Sequence, residues 1–403
     1  MKAKEIEPIK RGNRFFGELV KILHIGKYYH PYSGGMESIL RDLCEGLSQK
    51  GHDVTVLCSN TSAQKSIENL NGVKVIRLAR TGVLFGQNIN PTLFIEMMRL
   101  AREADIVHVH SPNPLAEMLS LFLPKSVALV STHHSDIIRQ KTLLKFYKPF
   151  LIRFFKRAQK VFVPTKNHIK FSDFLIHFEN KCELIPFGIR TDFLKSTEAN
   201  LEKAKNFRSE FGPYALFVGR LVSYKGIRFL IDAAKDTQGS VVIVGHGPLK
   251  AELELQVKQL GLQEKVKILG RVKDNDDFVG LYHGCDMLVL PSITPNENFG
   301  VVQLEAMACS KPVVTTNLKS GVPAVGIKGK TTLIVEPEDS QQLSKAMDMI
   351  FLNHELKTKM GRAAFEHYQN FYTWQGMIET QIDAYKRIKE ITTIINKHRK
   401  EAA

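Results

Sequence analysis

No two of the five cysteines form a CxxC pair. Cys44, Cys58, Cys182, Cys285 and Cys309 are scattered and odd in number, which argues against a disulfide framework or a zinc site and for a reducing compartment. Long apolar runs are also missing. None approaches the roughly 20 residues needed to span a bilayer, and the opening stretch MKAKEIEPIKRGNRFFGELVK lacks the apolar segment of a secretory signal. There is no low-complexity tract. With 403 residues, 43% of them hydrophobic, the chain is long enough for two or three domains with cores of their own.

Acidic residues are missing from one place in particular. Between Ile137 and Ser172 there is none, while Arg139, Lys141, Lys145, Lys148, Arg153, Lys156, Arg157, Lys160, Lys166 and Lys170 are basic and alternate with Leu, Phe and Tyr. The net charge of +15 is concentrated in the same half: residues 1–195 carry 29 Lys and Arg against 17 Asp and Glu, and residues 196–403 carry 27 against 24. A basic, aromatic helix suits an anionic membrane surface. A core helix with a solvated basic back suits the same pattern, and both readings stand at this point. The run matches no recognised nucleic-acid motif, so no nucleic-acid partner is expected.

Short apolar runs alternate with amphipathic segments, the pattern of βα units around parallel sheets. VKILHI is followed by a loop to SGG, a helix over about 36–50, and the strands DVTVLC, DIVHVH, VALVST and KVFVP. The plan restarts at YALFVG (214–219): a loop RLVSYKG, a helix IRFLIDAAKD, and the strands SVVIVG, KVKILG, MLVLPS and PVVTT. The expected fold is α/β, with two Rossmann-like doubly wound domains facing across a cleft. The expected domains are 1–192, 193–372, and a C-terminal helix at 373–403 packing back on the first. In such sheets ligands bind outside the carboxyl ends of the strands, where every unusual residue of this chain falls.

At one such end Arg220 and Lys225 follow YALFVG and offer two cations for a diphosphate. At its counterpart Gly34 and Gly35 open a helix whose amides could approach an anion. STHHSD sets His133, His134 and Asp136 after VALVS. These supply too few ligands for a metal, so a polar contact to a bound molecule is the better reading. ENFGVVQLE sets Glu297 in a loop and Glu305 in an apolar helix predicted to start near Phe299–Gly300. Its positive end suits a phosphate, and two carboxylates beside it suit the hydroxyls of a nucleotide sugar.

The spacing Glu297-x7-Glu305 with FG inside it resembles the EX7E motif of the retaining glycosyltransferases of family 4, which have the GT-B fold. VGRLVSYKG resembles that family's donor loop, GHGPL its second glycine turn, YHPYSGGME its first-domain loop and GHDVTVL its second strand. The matches run in family order over about 20–370, and the first 19 residues have no counterpart. THHSDIIRQK resembles bacterial members of O-antigen and exopolysaccharide assembly, many of them mannosyltransferases using GDP-mannose, and aligns His134 with the family's active-site histidine.

The resemblance implies the following. The domain 1–192 is the acceptor side, and 193–372 binds the nucleotide sugar. A hexose, mannose from GDP-mannose in the closest match, passes with retention to a lipid-linked (polyprenyl-diphosphate) glycan. His134, Arg220, Lys225 and Glu297 are the catalytic set. Gly34, Gly35, Gly245, Phe299, Gly300, Val301 and Glu305 bind the donor, and Asp136 and Arg139 are candidates for the acceptor. No cofactor and no metal are needed. The enzyme works in the cytoplasm at the inner face of the membrane, held by an anionic surface. The competing readings are a UDP-sugar donor, a nucleotide-sugar epimerase, a glycan phosphorylase and a non-catalytic nucleotide-sugar binder.

Overall fold

The computed structural model describes residues 19–402 apart from 33, 85, 86 and 137–140. Two compact units divide the chain: Met1–Gly188 with Trp374–Ala403, and Ile189–Thr373. The seam thus falls at Gly188, four residues before the expected 192, and the chain returns to the first unit after Thr373.

In the first unit the apolar runs form β1 (Lys21–Ile25), β2 (Asp53–Ser59), β3 (Ser66–Leu70), β4 (Val73–Leu78), a small hairpin β5 (Gly82–Leu84) and β6 (Gln87–Ile89), then β7 (Ile106–Ser111), β8 (Ala128–His133), β9 (Lys160–Val163) and β10 (Cys182–Leu184). Apart from the hairpin they make one sheet in the order β10-β9-β8-β7-β1-β2-β4-β3. All pairings are parallel except β3 with β4. That antiparallel edge was not read from the sequence. Its turn is Asn71-Gly72, both left-handed at φ 51° and 85°, the Asn-Gly signature of a tight hairpin.

Strand alternation divides the core between two faces. Leu23, Ile25, Val107, Val109 and Leu129 belong to one apolar cluster; Ile22, Ile106, Ala128 and Val130 belong to the other. The second cluster is covered by the helix Gly35–Gln49 and by the C-terminal helix Trp374–Glu401, which contributes Met377, Ile378, Ile382, Tyr385 and Ile388. The helix expected at 373–403 is a single one of 28 residues. It is fastened by Trp374 Nε1 donating to Asp42 O at 2.7 Å and Asn396 Nδ2 donating to Ser126 O at 2.9 Å.

The second unit holds β11 (Tyr214–Val218), β12 (Ser240–Val244), β13 (Val266–Gly270), β14 (Met287–Leu290), β15 (Val313–Thr316) and β16 (Thr332–Val335) in a wholly parallel sheet of order β13-β12-β11-β14-β15-β16. The chain winds outward from β11 through β12 to β13, then crosses to the other side of β11 at β14. The switch point therefore lies between β11 and β14. In the first unit it lies between β1 and β7 by the same reasoning.

Asp286, just before β14, anchors the opposite edge of the second sheet. Its carboxylate accepts from Tyr214 N at 2.9 Å and from Lys357 Nζ at 2.6 Å, and it pairs with Arg208. Burial alone would raise its pKa, but the bonds from Arg208 and Lys357 and their charges bring it below the usual value. An acid with a depressed folded pKa adds stability above its unfolded pKa of about 3.9 and loses it as pH falls through the folded value. Asp286→Ala is expected to lower unfolding free energy by about 2–4 kcal/mol at neutral pH. In urea titrations the gap from wild type should hold from about pH 5 to 8 and close below about pH 4.

Candidate active site

The loops after β11 and β14 meet at the second unit's switch point, the place where doubly wound sheets bind ligands. Lys225 ends a single 3-10 turn, Ser223–Lys225, and Gly226 follows at φ 67°. That left-handed turn lays the loop against the end of β14, so closely that a Cβ on Gly226 would collide with Pro291 O. The result is a buried ion pair: Lys225 Nζ meets Glu297 Oε2, which also accepts from Ser292 Oγ at 3.1 Å. Both side chains are about 11% exposed, so each charge depends on the other.

Glu305 lies a turn further on. Its carboxylate, half-buried, accepts from Tyr282 OH, so its partner is a phenol rather than a Lys or Arg. Burial raises the Glu305 pKa, opposed by the Tyr282 bond and the Lys225 charge. Burial, then the charge of Glu305, pushes Tyr282 well up, which keeps it a donor. The helix begins at Val302, two or three residues later than expected, because Gly300 is left-handed at φ 73°. Phe299 is turned into the core beside Tyr372 at 6.2 Å between rings. Phe299, Gly300 and Val301 thus form the approach to the helix rather than its first turn. Arg220 is exposed directly after β11 and Gly219.

Gly245 has a structural role that its motif did not disclose. The loops after β11 and β12 are joined by Gly219 N to Val244 O at 3.0 Å and Leu221 N to His246 O at 2.9 Å. A Cβ on Gly245 would collide with Gly219 O. It therefore holds the Arg220 loop in place.

In the first unit Gly34 caps the helix Gly35–Gln49 in extended conformation. The room that a side chain there would need is taken by the Glu37 carboxylate. Burial raises the Glu37 pKa, opposed by its bond to its own backbone N–H and by the charge of Lys27. This acid at the third helical position was overlooked in YSGGME, although Glu three residues after a cap is a known signature. Gly35 has open space around its Cα.

His134 follows β8 and is 7% exposed. Its Nε2 lies 3.0 Å from Nδ1 of His110, whose Nε2 lies 3.0 Å from Nδ1 of His24. Phe187 stacks on its ring at 5.3 Å. His133 turns the other way, its Nε2 3.0 Å from Asp136 Oδ1, which also accepts from Ser172 Oγ at 2.9 Å. Burial would raise Asp136, but His133 and Ser172 bring it below its usual value. Arg139 lies outside the described residues.

The basic segment is only partly surface. In the helix Lys141–Arg157, Leu151, Phe154 and Phe155 are core residues, and Arg157 donates to Pro124 O and Val127 O at 2.9 Å. Lys145, Lys148 and Phe146, the last 79% exposed, form its outer side.

Two Rossmann-like units with these switch points define the GT-B class. Anabaena HepE in complex with UDP has the same fold, with a TM-score of 0.74 at 20% identity over 91% of this chain and all of that one. Sucrose-phosphate synthase of Thermosynechococcus elongatus gives 0.72 at 22% identity over 92% and 99%. Residues 33–193 match the family described as Glycosyltransferase Family 4, and 199–367 that described as Glycosyl transferases group 1. The chain is 33% identical to the D-rhamnosyltransferase WbpZ of Pseudomonas aeruginosa over 88% of its own length and 92% of the relative's. It is 27% identical to the O-antigen chain mannosyltransferase C of Escherichia coli over 92% and 99%. The chain belongs to the family 4, group 1 glycosyltransferases and is a glycosyltransferase.

Gly226→Ala is expected to lower stability by more than about 3 kcal/mol, since it adds a backbone collision to the roughly 1–2 kcal/mol of a left-handed alanine. Gly261 has the same conformation at φ 69° but open space around it, and Gly261→Ala should lose only about 1 kcal/mol. Chemical unfolding of the two variants separates collision from conformation.

Proposed function

We propose that this enzyme moves mannose from GDP-mannose, with retention at the anomeric carbon, onto a polyprenyl-diphosphate-linked glycan in cell-surface polysaccharide assembly. The observation that carries the reading is the buried Lys225–Glu297 pair at the switch point, with Glu305 and Tyr282 beside it. The two relatives support the sugar, because D-rhamnose is mannose without its 6-hydroxyl, and both names refer to such a sugar. A GDP-6-deoxy sugar is the second reading that the first of them favours.

In this mechanism the acceptor oxygen forms its bond to C1 on the face from which the diphosphate departs. The C1–O bond breaks with its electron pair going to the phosphate oxygen, and that phosphate takes the acceptor's proton. Arg220 and Lys225 neutralise the growing charge, with the amides at Phe299–Val301, as preorganised donors do. The ion pair holds Glu297 in one orientation for the sugar hydroxyls, and Glu305 takes the ribose. His134 orients the donor sugar and phosphate, and Asp136 is assigned to the acceptor. With two cations in this role no metal is required, and transfer should persist in EDTA.

Lys225→Ala and Arg220→Ala are each expected to lower kcat by about 10²–10³. Glu297→Gln should do the same with the fold intact by circular dichroism. Full kcat in the Arg220 or Lys225 variant would remove these residues from the chemistry. Donor turnover is to be compared across GDP-mannose, GDP-D-rhamnose, UDP-glucose, UDP-galactose, UDP-GlcNAc and dTDP-rhamnose. A UDP-sugar preference would keep the roles of Glu297 and Glu305 and overturn the mannosyl reading.

We also propose that the outer side of the helix Lys141–Arg157 rests on an anionic bilayer. No helix among the described residues is long and apolar enough to cross a membrane. Exposed Phe146 between Lys145 and Lys148 provides an apolar contact flanked by charge. Lys145→Glu with Lys148→Glu should weaken binding to phosphatidylglycerol vesicles by tenfold or more, at about 1 kcal/mol per lysine removed. Wild-type binding should fall with salt. Salt-insensitive binding, or none, would make the helix purely structural.

A further inference from the structure

The alternation of β1, β7 and β8 places Ile22 and His24, Ile106, His108 and His110, and Val130 and Thr132 on one face of the first sheet. His24 and His108 are in direct register across β1 and β7. The three histidines are 0% exposed; His24 and His108 lie against Tyr385 of the C-terminal helix, and His108 beside Phe162. Fold alone gives no reason for them. Their row neighbours are aliphatic, and a buried imidazole must be compensated by hydrogen bonds that an Ile or Val would not need. His24 and His110 also sit towards the carboxyl ends of β1 and β7, towards His134.

His108 stands aside from the line, with Nδ1 on Tyr385 OH and Nε2 on Thr132 Oγ1 at 2.8 Å. The other two lead to His134 through the bonds already described. His24, His108 and His110 also lie close enough to suggest a cation site. Both nitrogens of His108 and of His110 are already engaged, however, so a cation there would have to break those bonds.

We propose that His24, His110 and His134 form one directed hydrogen-bond chain, in which His110 is a positioning residue that holds His134 as its Nδ1–H tautomer. Each neutral imidazole has one N–H, so the chain runs in one of two directions. In one, every Nδ1–H donates to the next Nε2. The chain then starts at a bare Nε2 on His24 and ends with an Nδ1–H on His134. In the other, every Nε2–H donates inward and the chain ends at an Nε2–H on His24. That atom is fully buried and has no hydrogen-bond partner among the described residues. A buried N–H without an acceptor is the rarer and less tolerated state, which selects the first direction. Burial holds His24 down to about 3 and His110 and His134 well below the usual value, so the chain stays neutral. His134 then offers a ligand oxygen an uncharged, oriented donor. The proposal rests on the reading of His134 as a ligand contact, and its test separates the two.

The full-length protein, labelled with ¹⁵N-histidine, reports each tautomer through long-range ¹H–¹⁵N couplings. His24, His110 and His134 are expected as Nδ1–H, against the Nε2–H form that a free histidine side chain prefers. His110→Phe removes the donor and should shift His134 towards Nε2–H. It should lower kcat by about tenfold to a hundredfold, with a smaller change in donor KM. His110→Asn, whose amide N–H can stand in for Nδ1–H, should keep the tautomer and most of kcat. An Nε2–H His134 in the wild type overturns the proposal, as does an unchanged tautomer in folded His110→Phe. If the tautomers are as stated but His134→Ala keeps full activity, the catalytic reading of His134 fails and the directed chain stands.

Discussion

A lysine and a glutamate that face each other across the β11–β14 switch point are what allow charge at the buried edge of the second sheet. Neither would be tolerated there alone, because an uncompensated buried ion loses several kcal/mol of hydration. The rest of the site follows from bringing them together. Gly226 must be left-handed and free of a side chain to press the β11 loop onto Pro291. Gly245 must be bare to let the β12 loop brace it. Ser292 supplies the second bond that fixes which oxygen of Glu297 faces the lysine. A pair held from three sides has little orientational freedom left to lose when a ligand arrives, which is the physical meaning of preorganisation.

The parallel sheets explain how much of this was legible. Strands buried on both faces read as short apolar runs, and β1, β2, β7, β8, β9 and β11–β15 lie within one or two residues of the runs quoted from the sequence. Of the edges, β13 was legible as KVKILG, whereas β10, three residues long, and β16 were not, and β3–β4 carries its signal in Asn71-Gly72 rather than in hydrophobicity. Helix starts depend on single residues. Gly300 delays one by two or three positions, and Glu37 occupies the cap region that two glycines seemed to leave open.

Motif residues of the site were legible, but their partners were not. Glu305 stands out as an acid in an apolar helix, yet nothing in the sequence joins it to Tyr282, 23 positions away on a different helix. Ser292 is an ordinary serine until the β14 loop folds it under Glu297. The histidines of ILHI and VHVH are visibly alternate, which places them on one face, but their line towards His134 appears only from the register of β1 on β7 and β7 on β8. Short-range chemistry is written in spacing, whereas partnership depends on which strands become neighbours.

The two units meet one constraint in different ways. Each brings polar side chains to the carboxyl edge of a buried sheet, and each must satisfy them there. The second uses opposite charges, so its edge holds a cation, Lys225, with the exposed Arg220 close by in sequence. The first uses imidazoles, whose burial keeps them neutral. The ion pair fixes a cation and a carboxylate against each other, while a chain of neutral rings fixes which way its N–H donors point. How each sheet carries polarity at its carboxyl edge is therefore set by what it can bury there, charges as a pair in one and imidazoles as a chain in the other.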